Sequence, residues 1–370
     1  MASTDLDSLV AQTLHHDIGA AKTGDLLVPP IVPAAIYYLP GDPSGPHQYG
    51  RWSNPTWDAL EHALSVLEDA EIIAFPSGMA AISSVFYSQL RQGQRVLLAS
   101  DGYYTTRSLA EKFLVPMGIV VESCPTIEFE TRSFDGFRLV LIETPSNPGL
   151  DICDLSSVIE RAKTSGALAI VDNTTMTPLG QRPLDFGADA IISSDSKAIN
   201  GHSDTCFGHV ASRSAALMAE VRDWRKLSGA IPGFFEAWLV HRGIETLELR
   251  FERMCTSAMA LASKLAAHPK IKSVKYPGLP THPRHMVAKE QMRRFGSLIG
   301  VTFAGGEDAE RFINSARFVR PATSFGGTHT SAERRARWGD QVPAGFIRLS
   351  VGCEPTEVLW AEMKRVLDTL

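Results

Sequence analysis

Two short apolar runs constrain this chain more than anything else in it. Ala167–Val171 (ALAIV) and Ala190–Ile192 (AII) are each too short for a buried helix and about right for one buried strand. Both stop at chemistry. Asp172 closes the first run, while Ser194, Ser196 and Lys197 follow the second before the chain turns through Asn200 and Gly201. A helical pattern, Leu155–Ser165, leads into the first run, and another apolar run, Leu139–Ile142, precedes it. Strand, helix, strand is the order of a parallel sheet with crossover helices. As strands of one such sheet, the two runs bring Asp172 and Lys197 out at its carboxyl edge, where open α/β sheets bind ligands.

A lysine with hydroxyls one and three residues before it suits one kind of chemistry. The amine of Lys197 can condense with an aldehyde, and Ser194 and Ser196 can hold an anion beside it; pyridoxal phosphate carries both groups. Its ring must also stay protonated on nitrogen to absorb electrons, and a carboxylate such as Asp172 favours that proton. Taken singly, such a lysine is most often a solvated surface charge, and Asp172 in the sequence DNTT also reads as a turn-capping residue.

The remaining composition excludes other classes. The 370 residues exceed one simple core and fit two domains, and 44% hydrophobic with 21% charged residues is ordinary for a globular protein. A net charge of −5 argues against nucleic acid or an anionic membrane as partner. No apolar run reaches the roughly 18 residues that a membrane span needs. The opening MASTDLDSL lacks a basic segment followed by an apolar core, so no secretory signal is expected. Five scattered cysteines without a Cys-x-x-Cys pair fit a reducing cytoplasm. His202, Cys206 and His209 match no zinc spacing, so no metal is expected.

The segments VDNTTMTP and SSDSKAINGHSD together resemble the Cys/Met-metabolism family of pyridoxal-phosphate enzymes, which includes cystathionine γ-synthase, cystathionine γ- and β-lyases and methionine γ-lyase. The resemblance runs from about Tyr49 to the C-terminus. It implies an α/β fold of the type I, aspartate-aminotransferase-like class: a large domain with a mostly parallel sheet, then a smaller α+β domain. The corresponding expectation is an extended arm over 1–45, a cofactor-binding domain over 46–235 and a C-terminal domain over 236–370.

Further motifs carry the resemblance, and each has a physical sense. YGRWSNPT places Tyr49 and Arg51 where the family's Y-x-R element reaches the cofactor phosphate of a neighbouring subunit; a phenol and a guanidinium are good phosphate donors. After it, Asn54 caps a helix starting at Pro55, with Leu60, Leu64 and Leu67 at helical spacing. FPSGM enters a helix whose free N–H groups suit a phosphate, and Gly78 and Met79 match the family's backbone donors. Tyr103 falls where a family tyrosine stacks on the cofactor ring and is a candidate acid/base, although the two usual glycines after it are Tyr104 and Thr105 here. Asn147 of TPSNP matches an asparagine near the cofactor's phenolic oxygen and the substrate carboxylate. Ser324 belongs to a Ser-Phe-Gly-Gly run like the family's S-L-G-G, and Arg348 of FIRLSVGCE matches its substrate-carboxylate arginine.

Two departures stand out. Where γ-lyases of the family often carry Glu before that serine, this chain has Thr323. Beyond it, THTSAERRARWGD replaces the usual stretch, and its arginines read as a solvated helix face. The implied roles are Lys197 as the amine that binds the cofactor and moves the substrate's α-proton, Asp172 against the ring nitrogen, and Arg348 on the α-carboxylate. The implied activity is a carbon–sulfur lyase on a sulfur amino acid, with cystathionine split at its γ-position into cysteine, 2-oxobutyrate and ammonia. Alternatives are γ-replacement on an O-acyl homoserine, β-elimination, methionine γ-elimination, and, in a different class, a non-catalytic binding relative. The resemblance also implies a homo-oligomer, a tetramer built from dimers with shared sites.

Overall fold

The computed structural model describes residues 5–17, 22–42 and 44–370. Seven strands build the larger sheet: β1 (Glu71–Phe75), β2 (Arg95–Ala99), β3 (Val120–Cys124), β4 (Phe137–Glu143), β5 (Leu168–Asp172), β6 (Ala190–Ser193) and β7 (Gly208–Ser212). Their spatial order is β1-β7-β6-β5-β4-β2-β3. Only β7 runs antiparallel to its neighbours; the other pairs are parallel. The central strands β4, β5 and β6 are mostly apolar and buried because both faces are covered, whereas the edge strand β3 is partly exposed. Val140, Ile142, Ala169, Val171 and Ile191 enter one core, and Leu139, Leu141, Ile170, Ala190 and Ile192 enter the other, as a two-residue period requires.

Local signals set the helices around this sheet. Asn54 accepts the Thr56 N–H at 2.9 Å and Pro55 opens the helix Pro55–Glu68, which buries Leu60, Leu64 and Leu67. The crossover helix Leu155–Thr164 starts at the Asp154 cap and lays Leu155, Val158, Ile159 and Ala162 on the sheet. Two further helices, Phe234–Ile244 and Leu247–Ala266, follow the large sheet and are separated at Glu245 and Thr246.

Five more strands, β8 (Ile271–Lys275), β9 (Leu298–Phe303), β10 (Arg320–Pro321), β11 (Ser331–Arg334) and β12 (Phe346–Ser350), form a second sheet in the order β10-β11-β12-β9-β8. One helix serves both cores. Leu247, Phe251 and Cys255 of Leu247–Ala266 pack in the large one, and Ala258, Leu261, Ala262 and Leu265 pack in the small one.

The N-terminal arm expected over 1–45 lies partly outside the described residues. Within them it is not wholly extended. Leu6–Leu14 is a helix whose Leu6, Leu9 and Thr13 are buried at helical spacing, a pattern too short to register against the proline-rich sequence after it. Further on, Thr56 ties the arm down: its hydroxyl accepts the Val32 N–H at 2.9 Å and donates to the Pro30 carbonyl at 2.8 Å.

Beneath the larger sheet's edge lies a fully buried ionic cluster. His209 Nδ1 is 2.9 Å from both carboxylate oxygens of Asp195, and its Nε2 is 3.6 Å from Glu68. Burial opposes the charged ring, but the two carboxylates outweigh it and hold the His209 pKa up to about 10. Losing one partner of a buried pair leaves an uncompensated charge, at a cost of about 3 kcal/mol. His209→Ala should therefore lower the urea midpoint at pH 7. A folded pKa raised above the unfolded value gives stability that is complete below about pH 6.5 and fades as pH rises through about 10. The gap between wild type and variant should narrow over that window, and a gap independent of pH would contradict the assignment.

Candidate active site

Three parallel strands end in step. Glu143 at the end of β4 pairs with Asp172 at the end of β5, and Asp172 pairs with Ile192 of β6. The loop after β6 then carries Ser194, Ser196 and Lys197 over this edge. A cavity of about 760 Å³ opens there, lined on the large-sheet side by Gly78, Met79, Tyr103, Asn147, Asp172, Ser194, Ser196 and Lys197. Ser324 and Arg348 line it from the small-sheet side. One cavity thus gathers these residues from segments hundreds of positions apart.

The charges in it are desolvated. Burial raises the Asp172 carboxyl, while the Thr174 hydroxyl at 2.5 Å and N–H at 3.0 Å, with Lys197 beyond them, pull it back. Glu143 lies well above the usual carboxylate range because it is buried and faces Asp172. Its carboxyl accepts the Tyr103 N–H at 2.7 Å and so fixes the turn that presents that ring. Burial, and then Arg348, lower the Lys197 amine, which rests 5.4 Å from the Phe325 ring centre. A lowered amine is neutral, and hence nucleophilic, at a lower pH.

At the opposite wall Arg348 sits in β12, directly across from Glu333 of β11. Its guanidinium donates to Asn147 Oδ1 at 2.5 Å, Glu333 Oε1 at 2.5 Å and the Ser324 carbonyl at 3.1 Å. Its Nε is buried with no hydrogen-bond partner among the described residues. Ser324 holds a left-handed φ of 72°, sparsely populated by residues with a Cβ, and this conformation accompanies the carbonyl contact to Arg348. Glu333 also takes Arg335 at 2.7 Å and the Trp338 indole N–H at 3.0 Å. This corrects the expectation of a solvated helix. Ser331–Arg334 is a strand, Arg335 is only 6% exposed and is held between Glu333 and Asp340, and Arg334 pairs with Glu310. Glu333, brought beside Arg348 by the pairing with β12, is the acid that lets Arg335 turn inward, while Arg337 in the short helix Arg335–Trp338 stays exposed as expected.

Not every candidate enters this cavity. Tyr49 and Arg51 lie outside it, with Arg51 donating to the Lys226 carbonyl at 2.7 Å. Tyr104 lines the wall beside Tyr103, the rings edge to face at 5.5 Å. Ser196 reaches the wall, but its hydroxyl donates to the Phe207 carbonyl at 3.1 Å and accepts the Phe207 N–H at 2.8 Å. Sequence reasoning missed Glu143, Glu333 and Arg250. Arg250 donates to the Ala198 and Ile199 carbonyls at 2.7 and 3.0 Å and so clamps the lysine loop. A Cβ at Gly201, whose φ is 76°, would sit 1.8 Å from that guanidinium, so glycine is required there. Only the isolated acid at the end of an apolar run could have pointed to Glu143.

The pattern of the family described as Cys/Met metabolism PLP-dependent enzyme matches residues 11–368. The chain belongs to this family. It is 50% identical over 342 residues to a putative cystathionine gamma-lyase of Streptomyces coelicolor, covering 90% of this chain and 87% of that protein. It is 33% identical to the L-methionine gamma-lyase of Pseudomonas deceptionensis, covering 97% of both. Among solved structures it is similar to a cystathionine gamma synthase from Xanthomonas oryzae pv. oryzae in complex with cystathionine, with a TM-score of 0.92, 32% identity and 97% of each chain covered. The expected type I fold, a large mostly parallel sheet followed by a smaller sheet domain, is the one found.

Pyridoxal phosphate is the family's cofactor, and the residues present fit it. Ser77 caps its own helix by accepting the Ala80 N–H at 3.1 Å, which leaves the Gly78 and Met79 N–H groups without an intrahelical acceptor. The Ser194 hydroxyl beside them makes no hydrogen bond among the described residues. These are donors for a phosphate. Asp172, raised by burial, lacks a full counter-charge, which a ring N–H would supply. A Cβ on Gly78 would lie 2.6 Å from the Ser194 Cβ. Gly78→Ala should therefore weaken pyridoxal-phosphate binding at least about tenfold by equilibrium dialysis, corresponding to about 1.4 kcal/mol, with an unchanged circular-dichroism spectrum. Unaltered affinity would show that the phosphate is held elsewhere.

Proposed function

We propose that this enzyme eliminates the γ-substituent of cystathionine, taking up one water and releasing cysteine, 2-oxobutyrate and ammonia. The observation that carries the reading is the pairing in one cavity of a desolvated amine, Lys197, with a buried guanidinium, Arg348, that keeps one unpartnered donor. An amine that can move protons and a receptor for an α-carboxylate are what chemistry at an amino acid's α-carbon needs. The half-identical Streptomyces relative, itself called a putative cystathionine gamma-lyase, supports the choice of substrate.

When bound, pyridoxal phosphate supplies an aldehyde for amines and an electron-withdrawing ring. The chain's own residues do the rest. Gly78, Met79 and Ser194 would hold the phosphate, with Ser196 beside them, and Asp172 would favour a proton on the ring nitrogen. Arg348, set by Asn147 and Glu333, fixes the substrate carboxylate and with it the direction of the Cα–H bond. Lys197, neutral at a lower pH than a free lysine, takes the α-proton and then serves the β-carbon. Tyr103, which lines the cavity, would cover the ring and is the second candidate acid/base.

The working protein is read as a cytoplasmic homo-oligomer, a tetramer built from dimers with shared sites, with its arm at 1–45, its cofactor domain at 46–235 and its smaller domain at 236–370. The arm supports this, since Leu27 and Tyr38 are 91% and 92% exposed. So do Tyr49 and Arg51, phosphate donors that lie outside their own chain's cavity and suit a neighbour's. No described helix is long and apolar enough to cross a membrane.

Purified protein given cystathionine alone should yield cysteine, 2-oxobutyrate and ammonia. Product that forms only when a thiol is added to an O-acyl homoserine would instead establish γ-replacement. Lys197→Ala should abolish turnover and leave no borohydride-reducible cofactor adduct; an adduct that persists would assign the wrong lysine. Arg348→Ala should raise KM by about a hundredfold, the size expected for a charge-assisted contact of about 1.5–3 kcal/mol.

A further inference from the structure

The charges lining the cavity are matched, with one exception away from the reacting amine. Arg348 lies on Glu333, and Arg335 is shared between Glu333 and Asp340. Glu143 holds the Tyr103 N–H, and Asp172 holds Thr174 and faces Lys197. Arg320 of β10 lines the same cavity, is exposed, and its guanidinium has no hydrogen bond or ion pair among the described residues. Its backbone is fixed nonetheless. Arg320 N–H donates to the Thr330 carbonyl at 2.9 Å, and β10 pairs with β11 at Arg320 and Ser331. The neighbouring lining residues Ala322 and Thr323 carry no charge. A guanidinium placed on a substrate cavity, with every nearby carboxylate already engaged, is a receptor for an anion that the substrate brings.

We infer that Arg320 is a specificity residue that binds a carboxylate on the leaving group, so that γ-substituents ending in a carboxylate are preferred to uncharged ones. This rests on the γ-elimination reading. Arg348 takes the carboxylate on the reacting half, and Arg320 reads the other end. Cystathionine, whose leaving half carries its own carboxylate, meets this requirement; methionine, whose leaving half ends in a methyl group, does not. An exposed pair contributes little, and the cavity wall strengthens it, so an effect of about tenfold is expected.

O-succinyl- and O-acetyl-L-homoserine probe this feature, because they share the reacting half and differ by a distal methylene and carboxylate, whose charge the Arg320 variants and the salt dependence separate from its length. Each elimination breaks the Cγ–O bond, takes up one water and releases the acid, 2-oxobutyrate and ammonia. The ratio of kcat/KM for the succinyl over the acetyl ester is measured for wild type, Arg320→Met and Arg320→Lys. The inference expects a wild-type ratio above one. Arg320→Met should lower it about tenfold, through the succinyl ester alone, and Arg320→Lys should restore part of it. High salt should narrow the wild-type ratio but not that of Arg320→Met. A ratio unmoved by Arg320→Met overturns the inference and leaves the γ-elimination reading standing. Absence of 2-oxobutyrate from both esters and from cystathionine with wild type overturns that reading. Calorimetric titration with the N-acetylated esters, which cannot react, then decides Arg320 alone: an affinity ratio equal in wild type and Arg320→Met rejects it.

Discussion

Two carboxyls, Glu143 and Asp172, are forced side by side and out of water because β4 and β5 end in register. Their ionised forms oppose each other, and burial penalises both. The chain compensates only in part, through the Tyr103 N–H on one and Thr174 with Lys197 on the other. The low dielectric that raises these acids also lowers the Lys197 amine. The site is therefore electrostatically incomplete as protein alone. A ring carrying a protonated nitrogen and a phosphate supplies the charges that its ends lack, which is why affinity for the cofactor and readiness of the amine share one origin.

Much of this was legible in the sequence because it depends on near neighbours. The runs that became β4, β5 and β6, the Asn54–Pro55 helix start and the Lys197 turn were each read to within a residue or two. The parallel order followed from the helix between two such runs. The sequence also named Asp172, Asn147, Ser324 and Arg348, which the fold brings to one cavity. Their roles came from resemblance rather than from spacing, since no local rule links Asn147 to Arg348.

What stayed hidden depends on register and on distant contacts. Glu333 meets Arg348 only because β11 pairs with β12 in one register; shifted by one residue, Glu333 would point away from the cavity. The arginines after it seemed a solvated face because charge runs usually are, and nothing local says that Glu333 and Asp340 will neutralise them in the interior. Asp195 lies between two serines that drew attention as phosphate ligands, and its partner His209 comes from a later strand. Single-residue chemistry cannot separate a buried ion cluster of this kind from solvated charge.

The same distant contacts decide how the amine can be desolvated without its loop collapsing. Lys197 sits on a turn whose backbone closes on itself, with the Lys197 N–H donating to the Ser194 carbonyl at 3.1 Å and the Gly201 N–H to the Lys197 carbonyl at 2.8 Å. Asp195 anchors the turn from below through His209, and Arg250 takes the carbonyls of Ala198 and Ile199 from the side. Gly201 lets that guanidinium come close. Arg250 belongs to the helix Leu247–Ala266, whose later turns pack in the core of the small sheet that carries Arg348. The placement of the Lys197 amine relative to the Arg348 guanidinium, the proposed proton carrier and carboxylate receptor, thus involves a helix shared by both cores as well as the loop. A change in how that helix packs would therefore move the Lys197 amine and the Arg348 guanidinium relative to each other and disturb the amine's surroundings as well, because Arg348 and Phe325 face Lys197 from the small-sheet side.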